Sequence, residues 1–308
     1  MNININKTIF TEEFQNISQD QINSDIKKNG YFAFEKAFTD DAVAAIEKDA
    51  TKARLNLNNI EMTGVYSNQQ YYLTNLLAVS KSFYDLATSK FVMNICSKNL
   101  GDKFRLKALR YYETYGGHNM QWHTDNKTTD GFMKIPGLIF IFYVSNVENG
   151  QFQYINGSHI WSTDEGVSDY SDKFINKNYK KDIVDFIMPK GSLIIYNTYG
   201  IHRAKPVKDK NFIRKSVFFQ VDSQIQDSEP IILRTKYMDN LDDQVSMFLG
   251  LGMPAEYPVF PKTSIETLPF NKNILNILIK YIFSRIRIRF LALVPDSFKD
   301  AIKNNIQD

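Results

Sequence analysis

Four histidines are all the imidazole this 308-residue chain has to place, and one stands two residues before an aspartate in Gln121-Trp122-His123-Thr124-Asp125-Asn126. On an extended backbone side chains alternate, so His123 and Asp125 leave the chain on the same face. Imidazole nitrogen and carboxylate oxygen together suit a divalent metal such as ferrous iron. Two histidines and one carboxylate on one face leave further coordination positions open for reactants. The third ligand must come from His118, His159 or His202. His159 lies in Asn-Gly-Ser-His, a polar turn in which an imidazole ordinarily bonds loop backbone. His118 sits beside Gly116 and Gly117, which reads as a mobile loop. His202 closes GSLIIYNTYGIH, an apolar strand that ends in polar residues.

Shortly after His202 a second strand begins with Arg214-Lys215-Ser216-Val217-Phe218. If Arg214 faces inward, Ser216 and Phe218 do too. A guanidinium inside an apolar barrel requires an anionic partner, and a dicarboxylate cosubstrate supplies one through paired hydrogen bonds. A lone H-x-D is common by chance. The ordered series of H-x-D, an Asn-Gly turn, Gly-Ser-His, a strand leading to His and then an inward Arg has few competitors.

These residues need elements to hold them. Ser18 and Gln21 form an S-x-x-Q capping box, Ile22 and Ile26 follow at helical spacing, and Gly30 can end that helix in a left-handed conformation. YFAFEKAF (31–38) alternates as a strand, a second helix follows with Thr39 or Asp40 as its cap, and residues 70–100 read as helical. That helical stretch includes FVMNICSKNL, in which Cys96 is a small buried apolar group. From about Lys103 the pattern becomes FRLKALRYYETY, PGLIFIFYVSNV, GQFQYI, GSLIIYN and RKSVFFQV, separated by turns such as Tyr115-Gly116-Gly117 and Asn149-Gly150. Short strands preceded by helices predict a β-sandwich or small barrel with helices on one side. Trp122 is expected in the packing, Gln121 and Asn126 at the substrate, and Gln153 pointing inward with no assigned role. NKTTDGFMKIP reads as a lid over the site.

Composition narrows the partner. The net charge of +3, from 37 basic and 34 acidic side chains, gives no basis for nucleic-acid binding, and a small molecule is the expected partner. A single cysteine precludes an internal disulfide. The opening MNININKTIFTEEF lacks the pattern of a secretory leader. A cytoplasmic protein is the expectation.

With these motifs in place, the chain resembles the phytanoyl-CoA dioxygenase (PhyH-like) family of iron(II)- and 2-oxoglutarate-dependent oxygenases. IKKNGYFAFEKAFTDDAVAAIEKDA is similar to the family's opening helix, strand and helix, and QWHTD to its first ligand motif. VENGQFQYINGSHIW and GSLIIYNTYGIHRAKP match its later segments. The resemblance implies a mainly β fold with α elements, a double-stranded β-helix (jelly-roll, cupin-like) core over about 103–222 flanked by N-terminal helices, within a domain spanning 1–262. It implies that His123, Asp125 and His202 bind Fe(II), and that Arg214, assisted by Ser216, holds the distal carboxylate of 2-oxoglutarate. Lys107 or Tyr111, on the strand before H-x-D, is expected to touch the cosubstrate, and Lys215 is the alternative to Arg214 if the intervening turn shifts register. In related halogenases a small residue stands at the carboxylate position, so Asp125 argues against halogenation. The implied reaction consumes O2, converts 2-oxoglutarate to succinate and carbon dioxide, and hydroxylates an unactivated C–H bond of a small metabolite, natural-product intermediate, sugar or lipid. A redox-inert binding barrel and a zinc hydrolase with the same ligands are the competing readings.

The last segment stands apart. Residues 263–308 read as a helical extension in which 274–294 are very apolar but carry Lys280, Arg285, Arg287 and Arg289. Four cations make a membrane-spanning helix costly. The segment either covers the outside of the barrel, packs against another subunit, or lies as a basic amphipathic helix on an anionic membrane, a peripheral contact. Oligomeric state is not legible.

Overall fold

In the computed structural model the described residues are 9–55, 65–67, 70–118, 120–125, 135–161, 171–209, 211–223, 225, 228–229, 231–238, 241–253, 275, 279–283, 285–286 and 289. The chain divides into two compact units, Met1–Glu256 and Tyr257–Asp308.

In the first unit the helices are α1 (Glu12–Gln15), α2 (Gln19–Asn29), α3 (Asp40–Leu55), α4 (Leu76–Val79), α5 (Lys81–Ala87), α6 (Lys90–Leu100), α7 (Asp172–Asn178) and α8 (Asp243–Leu249). Their starts follow their caps. The Ser18 hydroxyl accepts from Gln21 N and Gly30 closes α2 at φ 88°; such a cap is worth about 1 kcal/mol. The box is one-sided, because the Gln21 amide turns to Asp25. Thr39, not Asp40, caps α3, accepting from Ala42 N. The stretch 70–100 departs from the all-helical expectation: its first four residues, Gln70–Leu73, pair as a strand with Tyr111–Thr114. Tyr71 and Leu73 are buried there, so sheet pairing overrides local helical preference.

The strands are β1 (Tyr31–Phe34), β2 (Val65–Ser67), β3 (Gln70–Leu73), β4 (Arg105–Tyr115), β5 (Gly137–Tyr143), β6 (Phe152–Ile155), β7 (Ile183–Phe186), β8 (Leu193–Asn197), β9 (His202–Ala204) and β10 (Ile213–Asp222). They form a seven-stranded sheet in the order β1-β8-β5-β10-β4-β3-β2 and a three-stranded sheet β7-β6-β9. Every pairing among the described residues is antiparallel. The fold is thus mixed α/β, and the described strands make two sheets, not a closed barrel.

The larger sheet is apolar on both faces because both are covered. Phe140, Phe142, Leu193, Ile195, Val217 and Phe219 share one core with residues of the N-terminal helices such as Ile22, Ile26, Phe83 and Phe91. Ile139, Ile141, Tyr143, Ile194 and Tyr196 share a second core with Phe152, Tyr154 and Phe186 of the smaller sheet. Phe140 stacks on Phe219 at 4.5 Å, a pair that adds about 1 kcal/mol beyond its area. The space between the sheets is therefore walled by alternate residues of β4, β5, β8 and β10.

Cys96 is completely buried in the helical layer, and burial pushes its thiol well above the ordinary range. Since the thiolate is the reactive form, Cys96 in the native protein is expected to resist a thiol reagent and to label only at the rate of unfolding. Rapid stoichiometric labelling under native conditions would contradict this packing.

In the second unit the described residues Leu275, Ile279, Tyr281, Ile282, Phe283 and Ile286 are exposed. Among the described residues no helix is long and apolar enough to cross a membrane. Most of 274–294 lies outside the described residues, as do Asn126 and most of the expected lid.

Candidate metal and cosubstrate site

β8 runs out at Asn197, and residues 198–201 turn the chain back into β9, which opens with His202. The turn needs glycine at 200: a Cβ there would stand 1.7 Å from the hydroxyl of Tyr154, a ring with no exposed surface in which to move. His123 meets His202 in an isolated antiparallel bridge. Its N–H donates to the His202 carbonyl at 3.0 Å, and its carbonyl accepts the reciprocal bond from His202 N at 2.9 Å. Asp125 N donates to the Thr198 carbonyl at 3.1 Å. Two segments distant in sequence are thereby locked side by side.

The side chains converge. His123, Asp125 and His202 each present one ligand atom, all within 4.8 Å of one another. Nε2 of His202 is 3.2 Å from Asp125 Oδ2, and Nε2 of His123 is 3.8 Å from Oδ1. The other ring nitrogens are engaged: Nδ1 of His123 lies 2.8 Å from the Gln121 carbonyl, and Nδ1 of His202 3.0 Å from that of Gly200. A carbonyl only accepts, so each Nδ1 carries the proton and each Nε2 offers its lone pair. That is the tautomer a metal ligand needs, with the orienting bond that such ligands ordinarily have. Burial and the neighbouring His202 lower the pKa of His123, outweighing Asp125 and the Gln121 carbonyl, which raise it. For Asp125 burial acts upward, but His202, His123 and the Tyr196 hydroxyl outweigh it and bring the carboxyl below its usual value. A neutral imidazole and an ionised carboxylate are the forms that bind metal.

The triad opens on a cavity of about 170 Å³, also lined by Tyr196, Ile141, Phe152, Phe218, Ser216 and Arg214. Arg214 is buried, and burial lowers its pKa. It donates to the Gly150 carbonyl and the Thr114 hydroxyl, while its Nε has no partner. Among the described residues no carboxylate pairs with it. Such a group is costly to bury and is aimed into a cavity where an anion can relieve it. Lys215, the alternative, points to the opposite face and pairs with Glu47 of α3.

Register explains which β4 residues face the cavity. Arg214, Ser216 and Phe218 pair across the ladder with Thr114, Tyr112 and Arg110, and directly opposed residues share a face. Arg110 and Tyr112 accordingly line the cavity. Tyr111 is buried in the helical-side core and Lys107 does not line the cavity. Alternation alone leaves the β4 register open, so spacing does not single out Arg110 or Tyr112, nor Tyr196, whose hydroxyl lies 3.3 Å from His202 Nε2. Ser216 lines the cavity as expected. Gln121 is exposed and reaches the site through its carbonyl. Gln153 turns away, bonding Arg203 and Asp185. His159 bonds the Lys27 carbonyl at 3.1 Å, as a loop histidine should. His118 departs from the mobile-loop expectation: it is 1% exposed, and its backbone bonds Tyr115 and Val207.

Among curated proteins none matches the chain. Among solved structures, EctD from S. alaskensis with 2-oxoglutarate and 5-hydroxyectoine has TM-score 0.53 and 18% identity, covering 71% of this chain and 80% of that one. The non-heme alpha ketoglutarate dependent carbocyclase SnoK from nogalamycin biosynthesis has TM-score 0.51 and 14% identity, covering 68% and 85%. The epimerase SnoN, in complex with Fe3+, alpha ketoglutarate and nogalamycin RO, has TM-score 0.50 and 17% identity, covering 67% and 84%. At such identities the likeness is one of fold. The phytanoyl-CoA dioxygenase (PhyH) family model matches residues 26–216, which hold His123, Asp125, His202 and Arg214. With well over half of its length inside that match, the chain belongs to the phytanoyl-CoA dioxygenase family.

Proposed function

We propose that this protein is an Fe(II)- and 2-oxoglutarate-dependent oxygenase whose two sheets are the halves of a double-stranded β-helix, within a catalytic domain of residues 1–262. One observation carries the reading. A triad with both Nδ1 atoms tied to carbonyls faces, in one cavity, a buried guanidinium that no carboxylate among the described residues neutralises. His123, Asp125 and His202 hold the metal through Nε2, carboxylate and Nε2. Arg214 and Ser216 hold the far carboxylate of 2-oxoglutarate. Bound there, the iron and 2-oxoglutarate supply the oxidising chemistry, which consumes O2 and releases succinate and carbon dioxide. Ile141, Phe152, Tyr196 and Phe218 keep water from the reacting atoms, and Arg110, Tyr112 and Met120 line the wall left for a small-molecule substrate. Gln121 and Asn126, at the rim of the ligand loop, are assigned to the same substrate.

Hydroxylation of a C–H bond is the proposed outcome. The carbocyclase and the epimerase among the structural neighbours carry other reactions on this fold. A zinc hydrolase built on the same ligands has no use for Arg214. Anaerobic addition of Fe(II) and 2-oxoglutarate to the purified protein should produce the weak visible charge-transfer absorption of the chelate, followed by succinate on admitting O2. Metal binding with no 2-oxoglutarate binding would instead favour the redox-inert reading.

For residues 263–308 we propose a helical extension whose residues 274–294 meet an anionic membrane surface. Leu275, Ile279, Ile282, Phe283 and Ile286 recur at helical spacing and are 41–67% exposed, while Lys280, Arg285, Arg287 and Arg289 supply cations without an acid between them. The full chain is expected to co-sediment with phosphatidylglycerol vesicles and not with phosphatidylcholine vesicles, and Ile282→Asp to lose that binding. Equal recovery in the supernatant from both lipids would end the idea.

A further inference from the structure

Each metal-ligating histidine has a neighbour on the other face of its backbone. In an antiparallel bridge between His123 and His202 the residue before one lies opposite the residue after the other, so Trp122 faces Arg203. The pair is stacked, with the guanidinium carbon 4.4 Å from the indole centroid. On the ligand side the two imidazole centroids are also 4.4 Å apart. Trp122 is 2% and Arg203 8% exposed. One carboxylate joins them: Asp172 Oδ1 accepts from Trp122 Nε1 at 3.1 Å and pairs with Arg203 Nη1 at 2.5 Å. Arg203 Nε donates to Gln153 Oε1 at 2.7 Å, and the Gln153 amide donates to Asp185 of β7 at 2.8 Å. Asp172 is the first residue of α7, whose Ile175 packs with Trp122, Ile155 and Ile201.

We propose that Arg203 is a positioning residue for the metal, acting through Trp122 and Asp172 to set the separation and tilt of His123 and His202. The inference rests on the metal assignment above. The physical reason is the brevity of the ladder. His123 belongs to an isolated bridge, and beyond its two bonds to His202 the described backbone beside it adds the Asp125 N bond to the Thr198 carbonyl, so few main-chain bonds fix its distance from β9. The stacked indole and guanidinium, held by one carboxylate, brace the opposite face and share that task. A guanidinium suits it because its flat face stacks while its edge donates to two acceptors; an ammonium can do only part of this.

The test measures Co(II) affinity by calorimetry and the Co(II) ligand-field spectrum, in wild type, Arg203→Lys, Arg203→Ala and Trp122→Phe, with apo Tm and near-ultraviolet circular dichroism in parallel. Arg203→Ala is expected to weaken Co(II) binding by about 10–100-fold and to shift the spectrum. Arg203→Lys should recover part of the loss, and Trp122→Phe, which keeps a stacking face but loses the bond to Asp172, should fall between lysine and wild type. If Arg203→Ala does not fold, the two milder variants carry the comparison. A lower Tm with unchanged affinity and spectrum per folded molecule would show Arg203 to be structural only and overturn the proposal. Absence of Co(II) binding by wild type would instead overturn the metal assignment on which it rests.

Discussion

Replacing Arg214 with methionine is expected to raise the 2-oxoglutarate concentration needed for half-maximal succinate release by at least about 30-fold, while the Tm of the ligand-free protein holds or rises. The two effects have opposite signs for one reason. A buried charge pair lost on binding typically costs about 2–5 kcal/mol, each 1.4 kcal/mol being tenfold. In the ligand-free protein Arg214 is buried with no carboxylate partner among the described residues, and burial already lowers its pKa. Its remaining bonds go to the Gly150 carbonyl and the Thr114 hydroxyl. Leaving those acceptors unpaired costs about 1–3 kcal/mol, whereas removing an unpaired buried ion relieves a penalty of several kcal/mol. The relief wins or balances. Arg214→Lys should keep the charge but not the fork, and land between. A large fall in Tm with an unchanged 2-oxoglutarate requirement would mean that Arg214 serves the fold and that the anion binds elsewhere.

Asp125→Ala is expected to lower metal affinity on the order of 100-fold or more and to abolish succinate formation, because the only carboxylate of the triad goes. A convenient readout is the metal-induced rise in Tm, which reflects a stabilisation of RT ln(1 + [L]/Kd), about 2.7 kcal/mol at a hundredfold excess over Kd. At the same metal concentration the variant should keep about 0.4 kcal/mol or less of that stabilisation. The metal-free proteins differ in a second, independent way. The Asp125 carboxyl is lowered in the folded chain, so its contribution to stability is present above the unfolded value of about 3.9 and is lost as pH falls through the folded value. Wild type should therefore lose stability on acidification more steeply than Asp125→Ala. Parallel pH profiles, with an undiminished metal effect, would place the metal on other residues.

Both results concern groups that the linear sequence already singled out, because their chemistry is local. His-x-Asp fixes two side chains on one face whatever the tertiary fold, and an arginine followed by serine and phenylalanine at alternate positions shares a face by the same period of two. Helix ends were legible for a similar reason: Ser18, Thr39 and Gly30 act on backbone groups within a few residues of themselves.

What required the tertiary structure was phase and pairing. Alternation tells which residues of β4 agree with one another but not which set faces the cavity. Only the pairing of Tyr112 with Ser216 and of Arg110 with Phe218 puts those two inside and Tyr111 against the helices. Residues 70–73 joined a sheet because β4 offered them an edge, a partner that local periodicity cannot see. The tautomers of His123 and His202 were decided by carbonyls at Gln121 and Gly200, and the stacking of Arg203 on Trp122 by a bridge between segments some eighty residues apart in the sequence. Composition and spacing thus determined which atoms could bind a metal and an anion. Cross-strand register, a long-range property, decided how those atoms are aimed and what keeps them there.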